Sequence, residues 1–382
     1  MVRAMRPQRP SLRLSTALVV LLGCSAAVDG DSLPLDRIEL PEGFAIELYS
    51  DAVPGARSLA RSPSGTLFVG TRREGKVYAL VGGDGDQRPE RVHTVASGLR
   101  SPNGVAFLNG DLYVAEISRI LRFPGIEERL ADPPRPEVVF DDLPSDRHHG
   151  WKYLEVGPGG DLWFGIGAPC NVCDPGDPYA SVVRLDLETR KLEIFARGVR
   201  NTVGLAFQPA TGVLWFTDNG RDRMGDDVPP DELNVAPEPG LHFGYPYCHG
   251  RDVRDPEFGS GKRCADYRPP AQELGPHVAS LGLLFYSGEM FPDEYRGDVL
   301  IAEHGSWDRS TPIGYRVTRV RVAEGEAAGY EVFASGWLQG EEAWGRPVDL
   351  LQLPDGSLLV SDDRAGAIYR IAYRTPAAGP AP

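Results

Sequence analysis

The chain has 382 residues, of which 41% are hydrophobic, with 14 Phe, 14 Tyr, 6 Trp, 45 Gly and 34 Pro. This apolar content is enough for a sizeable core and excludes wholesale disorder, while the many turn-forming residues favour short strands over a helical bundle. The net charge of −14 argues against nucleic acid and anionic membrane surfaces as partners.

Residues 1–23 have the composition of an export signal, because four arginines precede an apolar run over 14–23. The run is too short to span a bilayer as a mature helix. It ends in a sequence that resembles a bacterial lipobox, so Cys24 is the expected lipidated residue, with 24–37 as a short tether. Ordinary signal cleavage near 25–27 is the alternative. In either case we expect an exported protein of the periplasm or cell envelope. If Cys24 is lipidated, the lipid anchor is the only expected contact with the membrane.

The cysteine count agrees with export. Besides Cys24 there are four cysteines, and an even number in an exported chain favours disulfides. The local pairs Cys170–Cys173 and Cys248–Cys264 are the expected bridges. A zinc site is the alternative, although no histidine lies at ligand spacing from the first pair.

A repeated unit organises the chain. A tight turn with glycine, followed by a short apolar run, occurs six times, at Gly65, Gly110, Gly160, Gly212, Gly297 and Gly356. Three or four strands per unit at this spacing are typical of a β-propeller blade. The sequence therefore predicts an all-β protein, a six-bladed β-propeller over 38–373 with an insertion at about 240–276 and a flexible tail over 374–382.

Polar residues precede several of these repeats at a similar distance. About ten residues before the repeat glycine stand Arg100 with Asn103, His149, Arg200 with Asn201, and Arg346, with His277 in a looser position. In a propeller these positions converge at one mouth of the central channel. Arginines there would bind carboxylates, and a histidine could take up a proton near neutral pH. An ordinary structural histidine is the alternative for His149.

A second cluster is acidic. Six carboxylates lie within residues 218–232, on a glycine-rich loop just past the apolar run of the fourth repeat. Calcium prefers six to eight oxygen ligands, from carboxylates and turn carbonyls. The spacing is not that of an EF-hand, so a solvated acidic loop is the alternative.

Several motifs together resemble the soluble glucose/sorbosone dehydrogenase family, over about 38–373. They are the segments 149–158, 198–207, 231–234 and 344–349, while 167–173 and 302–307 are similar to its L-sorbosone dehydrogenase-like branch. The resemblance implies a six-bladed propeller that binds pyrroloquinoline quinone (PQQ) and Ca²⁺ at the axial mouth.

The resemblance also implies roles for individual residues. His149 matches the base that removes the hydroxyl proton as hydride passes to the quinone, and Arg200 matches the arginine near the quinone C5 carbonyl. Asn201 falls beside Arg200, and Arg346 matches an arginine that contacts the cofactor. Positive charge at the quinone carbonyl would stabilise the negative charge that develops there.

For the metal, the resemblance implies two groups of residues. The carbonyls of Gly220 and Arg221 match the turn that holds the cofactor-linked calcium. Asp231 and Glu232 match an acidic pair near a second, structural calcium region.

Two positions depart from the family pattern. Glucose-oxidising members have an aspartate that supports the catalytic histidine, where this chain has Ala168, so we expect a less fixed tautomer and a lower basicity of His149. Asp174 is the candidate substitute. Those members also have a cofactor-binding lysine after the central strand of the fifth blade, where this chain has Glu303-His304-Gly305, and Arg309 is the candidate source of the missing charge.

The predicted function is that of a PQQ- and calcium-dependent oxidoreductase. Its substrate would be a small sugar, a sugar aldehyde such as sorbosone, or a polyol, and its electrons would pass to an external acceptor because the sequence has no haem-attachment motif. Two alternatives remain, namely a surface-binding propeller without catalysis and a calcium-dependent lactonase.

Overall fold

The computed structural model describes residues 33–82 and 88–374. The predicted signal at 1–23, Cys24 and the tail beyond residue 374 lie outside these residues. Six antiparallel sheets form the blades of a β-propeller, which confirms the predicted fold class.

The strands follow the chain from blade to blade. After β1 (Phe44–Ser50), blade one consists of β2 (Leu59–Arg61), β3 (Leu67–Val69), β4 (Val77–Val81) and β5 (Arg91–Ala96). Blade two consists of β6 (Gly104–Leu108), β7 (Asp111–Ala115), β8 (Ile120–Phe123) and β9 (Glu137–Phe140). Blade three consists of β10 (Glu155–Val156), β11 (Leu162–Ile166), β12 (Ser181–Leu185) and β13 (Leu192–Arg197).

The second half repeats the pattern with an interruption. Blade four contains β14 (Leu205–Phe207), β15 (Leu214–Asp218) and β16 (Pro230–Ala236), then three short strands intervene, namely β17 (Leu241–His242), β18 (Cys248–His249) and β19 (Val253–Arg254), before β20 (Gln272–Pro276) completes the sheet. Blade five consists of β21 (Ser280–Phe285), β22 (Val299–Glu303), β23 (Arg316–Ala323) and β24 (Glu326–Ala334). The hairpin of β25 (Leu338–Gln339) and β26 (Glu342–Ala343) precedes β27 (Pro347–Gln352), β28 (Leu358–Asp362) and β29 (Ala367–Tyr373) of blade six.

Within the residues that the structure describes, helical structure is limited to short 3₁₀ turns. They span Leu35–Arg37, Ile126–Arg129, Cys264–Asp266 and Asp293–Tyr295. In the described ranges, no helix has the length and apolar character needed to cross a membrane.

Each repeat glycine lies in the turn between the first and second strands of its blade. All six have positive φ, from 69° at Gly212 to 106° at Gly65, in the region where a side chain is disfavoured. The sequence repeat therefore marks a backbone conformation that each blade uses once.

The hydrophobic core lies between the blades. Phe68 of blade one stacks on Phe107 of blade two, with ring centroids 5.6 Å apart, and Trp215 of blade four meets Phe285 of blade five edge to face at 5.4 Å. Because each sheet buries its faces against its neighbours, the blades stabilise one another.

The ring closes through a strand from the beginning of the described chain. β1 pairs antiparallel with β29, which gives blade six the order β1-β29-β28-β27. At the start of β1, the ring of Phe44 contacts four aromatic rings, those of Phe291, Tyr295 and Phe333 in blade five and of Tyr373 in blade six. Phe44 therefore joins two blades at the closure.

We expect Phe44→Ala to lower the free energy of unfolding by about 3 kcal/mol, because it removes a large aromatic side chain from between two blades. Urea unfolding followed by fluorescence measures this change. Val332→Ala is the control, since Val332 is 48% exposed and should change stability by less than about 0.5 kcal/mol. Equal effects of the two substitutions would contradict the role given to Phe44.

The insertion joins β16 to β20 within blade four. β17 adds to blade three by parallel pairing with β13, and the disulfide Cys248–Cys264 crosses the insertion. The predicted range of 240–276 extends into β20, which belongs to the blade itself. The second predicted disulfide, Cys170–Cys173, is also present, so both expected pairings are confirmed.

Candidate active site

A cavity of about 310 Å³ lies at the mouth of the channel where the first strands begin and the second strands end. Six residues singled out from the sequence line it: His149, Arg200, Asn201, Gly220, Asp231 and Arg346. His277 also lines the cavity, and its Nε2 lies 2.9 Å from the carbonyl oxygen of Gly225. The expected convergence from different blades is therefore found, except that Arg100 and Asn103 lie outside the cavity lining.

Three other predicted residues have their side chains elsewhere. The guanidinium of Arg309 donates to the carbonyls of Asp226 and Thr311, outside the cavity lining, so Arg309 does not replace the family lysine. The guanidinium of Arg221 is 2.6 Å from the Asp255 carboxylate in the insertion. Glu232 accepts a hydrogen bond of 2.6 Å from the Gly250 backbone N–H, which anchors the insertion to blade four.

The ring of His149 is held by the backbone. Its Nδ1 lies 2.9 Å from the carbonyl oxygen of Ala168, and since a carbonyl only accepts, Nδ1 must carry the hydrogen. The expectation of a less fixed tautomer is therefore wrong, because a main-chain oxygen at the departing position replaces the missing carboxylate. Asp174 is not the substitute, since its carboxylate accepts a hydrogen bond of 2.6 Å from the Tyr247 hydroxyl.

His149 is also a weak base in this environment. Burial, followed by the positive charge of Arg200 and by His148, lowers its pKa well below the usual 6.5. With Nδ1 protonated and the ring neutral, Nε2 keeps its lone pair. The arrangement suits a group that accepts a proton only when a reacting hydroxyl is beside it.

Arg200 is buried and fully oriented by its neighbours. Its guanidinium donates to the Asn171 carbonyl at 2.8 Å, to the Asn219 carbonyl at 3.1 Å and to the Asp222 carboxylate at 3.0 Å. The backbone N–H groups of Arg200 and Asn201 both donate to the buried carboxylate of Asp218, at 2.8 and 2.6 Å. A fixed guanidinium of this kind can stabilise negative charge without reorganising.

Arg72 lines the cavity but was not among the site residues predicted from the sequence. Its guanidinium carbon lies 3.7 Å from the centroid of the Trp151 ring, and no carboxylate of the described residues pairs with it. Burial, then the charges of Arg57 and Arg73, lower its pKa to about 10, so it remains cationic at neutral pH. Arg72 is therefore available to an anionic ligand.

Arg57, which was not singled out in the sequence, and His304, which was noted only as a departure from the family pattern, form a second group at the cavity. Both face Asp363, whose carboxylate is 2.6 Å from the Arg57 guanidinium and 2.8 Å from Nε2 of His304. Burial lowers the pKa of His304 to about 4, so its ring is neutral at pH 7. Arg346, whose Nε donates to the His304 carbonyl at 2.9 Å, places a positive charge in this region.

Of the two missed arginines, Arg57 occupies the position that was examined in other repeats, and Arg72 does not. Arg57 stands eight residues before Gly65 and could have been found by applying the same spacing to the first repeat. Arg72 follows the second strand β3, a position that the spacing before the repeat glycine does not cover, and His304 occupies the equivalent position after β22.

The turn after β15 contains the candidate calcium ligands. The Asp231 carboxylate accepts hydrogen bonds of 3.0 Å from the backbone N–H groups of Gly220 and Ser280, which fixes this turn against blade five. Burial raises the pKa of Asp231 to about 6. Across residues 33–82 and 88–374, no three His, Cys, Asp or Glu side chains come together as a metal site, so backbone carbonyls of the turn are the candidate ligands.

The chemistry of the cavity fits a planar acid with several carboxylates. Four guanidinium groups line it, those of Arg57, Arg72, Arg200 and Arg346, and that of Arg72 lies over an indole ring with no salt-bridge partner among the described residues. Guanidinium groups bind carboxylates through paired hydrogen bonds and also stack on aromatic faces. PQQ, with three carboxylates on a planar quinone, matches this donor set.

Comparisons with known proteins agree with this geometry. A family model described as Glucose / Sorbosone dehydrogenase matches residues 135–370. An "Uncharacterized protein" of Borreliella burgdorferi is 33% identical over 351 residues, which cover 88% of this chain and 91% of that protein.

Two solved structures have the same fold. One is a calcium structure of a Trichoderma reesei Carbohydrate-Active Enzymes Family AA12 protein, with a TM-score of 0.77 and 19% identity over 87% of this chain and 96% of that one. The other is the holo form of the PQQ domain of a pyranose dehydrogenase from Coprinopsis cinerea, with a TM-score of 0.73 and 16% identity over 88% and 97% of the two chains.

Proposed function

Because the chain belongs to the glucose/sorbosone dehydrogenase family, we propose that it is a PQQ-dependent dehydrogenase of a sugar, a sugar aldehyde or a related polyol. The observation that carries the proposal is the pairing of a neutral, backbone-held His149 with a cavity rich in guanidinium groups. The PQQ domain of the C. cinerea enzyme, which shares the fold, supports the choice of cofactor.

Arg72, Arg200, Asn201 and Arg346 would hold the quinone. Arg72, which follows β3 of blade one, and Arg346, which precedes β27 of blade six, would bind its carboxylates. When bound, PQQ supplies the oxidant that takes two electrons from the substrate. The chain itself supplies binding, orientation and the transfer of a proton.

His149 would act as the general base. Its Nδ1–H donates to Ala168, so Nε2 is the atom that accepts the proton of a substrate hydroxyl. Arg200, held by Asn171 and Asp222, would stabilise negative charge next to this group. Trp151 would exclude water from one side of the cavity, where Arg72 already covers its ring.

We further propose that Ca²⁺ binds at the turn after β15 through the carbonyls of Gly220 and Arg221. Calcium accepts carbonyl ligands readily, and the hydrogen bonds of Asp231 hold this turn in place. The calcium structure of the T. reesei protein, which shares the fold, supports this proposal.

We also propose that the protein is exported, with Cys24 as its lipid anchor, and that its electrons pass to an external acceptor. The motif at 1–24 and the disulfides Cys170–Cys173 and Cys248–Cys264 support export, because disulfides persist in oxidising compartments.

Reconstitution of the purified mature chain with PQQ and Ca²⁺ tests the function. Calorimetry should show calcium-dependent uptake of PQQ, and a dye-reduction screen over aldoses, sorbosone and polyols should reveal a substrate. Mg²⁺ in place of Ca²⁺ is the control for the metal. No uptake of PQQ under any of these conditions would overturn the proposal in favour of a propeller that only binds a partner.

A further inference from the structure

The disulfide Cys170–Cys173 closes a short loop beside the two candidate catalytic residues. The loop begins just after Ala168, whose carbonyl holds Nδ1 of His149 and whose N–H donates to the Arg200 carbonyl at 2.8 Å. Ala168, two residues before Cys170, therefore contacts both His149 and Arg200.

Asn171, inside the loop, makes the closest contacts to Arg200. Its carbonyl accepts from Nε at 2.8 Å, and its side-chain oxygen accepts from Nη2 at 2.9 Å. The same side chain pairs with the backbone of Asp222, accepting at 2.8 Å and donating at 3.0 Å. Asn171 thus connects the guanidinium to the turn that contains the candidate calcium ligands.

The far side of the loop is fixed to the insertion. The Tyr245 hydroxyl accepts a hydrogen bond of 3.0 Å from the Cys173 N–H and lies 3.5 Å from Sγ of Cys170. Tyr245 is itself tied to blade three, because its N–H donates to the Gly198 carbonyl at 3.1 Å. The loop has no regular strand pairing of its own, so the bridge and these contacts determine its shape.

We infer that the Cys170–Cys173 disulfide is a positioning element that fixes His149 and Arg200, so that reduction of this bridge weakens quinone binding and makes the site redox-sensitive. The inference rests on the proposed function for its quinone readout only, since the contacts to both residues exist without the cofactor. Residues that orient a functional group through hydrogen bonds commonly change affinity or activity by about 10–100-fold when altered.

The reduction is a balanced exchange with an external dithiol. One thiolate of the dithiol attacks a bridge sulfur and forms a mixed disulfide, and its second thiolate then displaces the protein sulfur. The dithiol gives up two electrons and becomes a cyclic disulfide, while Cys170 and Cys173 each gain a proton as thiols. Cys170 and Cys173 are both partly exposed, whereas in the other bridge Cys264 is partly exposed but Cys248 is only 3% exposed. The first bridge offers two accessible sulfurs and should react sooner.

The test compares two double variants, C170S/C173S and C248S/C264S, in the full mature chain. Calorimetry with PQQ should show an affinity about 10-fold or more lower for C170S/C173S, and an affinity within about 2-fold of the wild type for C248S/C264S. Thermal melting should show the reverse order, because the second bridge closes the longer loop and should contribute more to stability. A merely structural role would lower both quantities together.

A cofactor-free readout keeps the inference separate from the proposed function. Nitrogen NMR of the imidazole should show His149 neutral and Nδ1-protonated in the wild type, with a pKa that rises toward 6.5 in C170S/C173S. Mild dithiothreitol treatment of the wild type should reproduce this change if the variant folds poorly. An unchanged His149 signal after reduction would overturn the inference, whereas failure of the wild type to bind PQQ would overturn the proposed function alone.

Discussion

His149→Ala is expected to lower turnover by about 10²–10⁴-fold while PQQ binding stays within about 3-fold of the wild type. The substitution removes Nε2, the only atom to which the proposed mechanism assigns the substrate proton, and leaves the four arginines of the cavity in place. Steady-state dye reduction gives the turnover, and calorimetry gives the affinity for PQQ.

The matched control is His148→Ala. The two imidazole centroids are 4.1 Å apart, but His148 lies outside the cavity lining, so its removal should change turnover by less than about 3-fold.

The pH profile of the wild type gives a second check on His149. Since the pKa of His149 is lowered, activity should persist as pH falls through 6.5 and be lost only at lower pH, where the ring takes up a proton. Unchanged turnover in His149→Ala would exclude the base assignment.

Arg200→Gln is expected to weaken PQQ binding by about 10²-fold and to lower the free energy of unfolding by about 2–3 kcal/mol. The buried guanidinium donates to Asn171, Asn219 and Asp222, and a glutamine cannot satisfy all of these acceptors. The loss of charge removes an electrostatic contribution to binding, and the unpaired Asp222 carboxylate accounts for most of the loss of stability. Calorimetry and urea unfolding measure the two effects.

Arg184→Gln is the control for Arg200. Arg184 pairs with Asp161 at 2.6 Å on β12, but its side chain is 38% exposed, so the pair should contribute at most about 1 kcal/mol to stability. PQQ affinity should not change, because Arg184 lies outside the cavity lining. If both variants kept normal affinity, the cavity arginines would not be the binding groups.

The blades could be predicted because each uses one glycine turn with positive φ, and this requirement is visible in the sequence. The closure of the ring could not. β1 carries no such turn, and its pairing with β29 depends on contacts between segments more than 300 residues apart. Local patterns do not report pairings over that distance.

The same division applies to the site. His149, Arg200 and Arg346 were found because they occupy one repeated position before the first strand of a blade. Support for His149 comes from the backbone carbonyl of Ala168. Every residue type has this group, and only the folded backbone places it beside His149, so the side-chain pattern did not reveal it. The shared carboxylate of Asp363 likewise joins Arg57 to His304 only in the folded chain.

The closure of blade six by β1 also has a consequence for biosynthesis. At a typical rate of about 5–20 residues per second, β29 is synthesised roughly 15–60 s after β1. Throughout this interval β1 lacks its partner, and the nascent chain carries an unpaired strand that could associate with other chains. The propeller can close only after translation has reached β29. A chaperone that shields β1 would therefore be most useful during that delay.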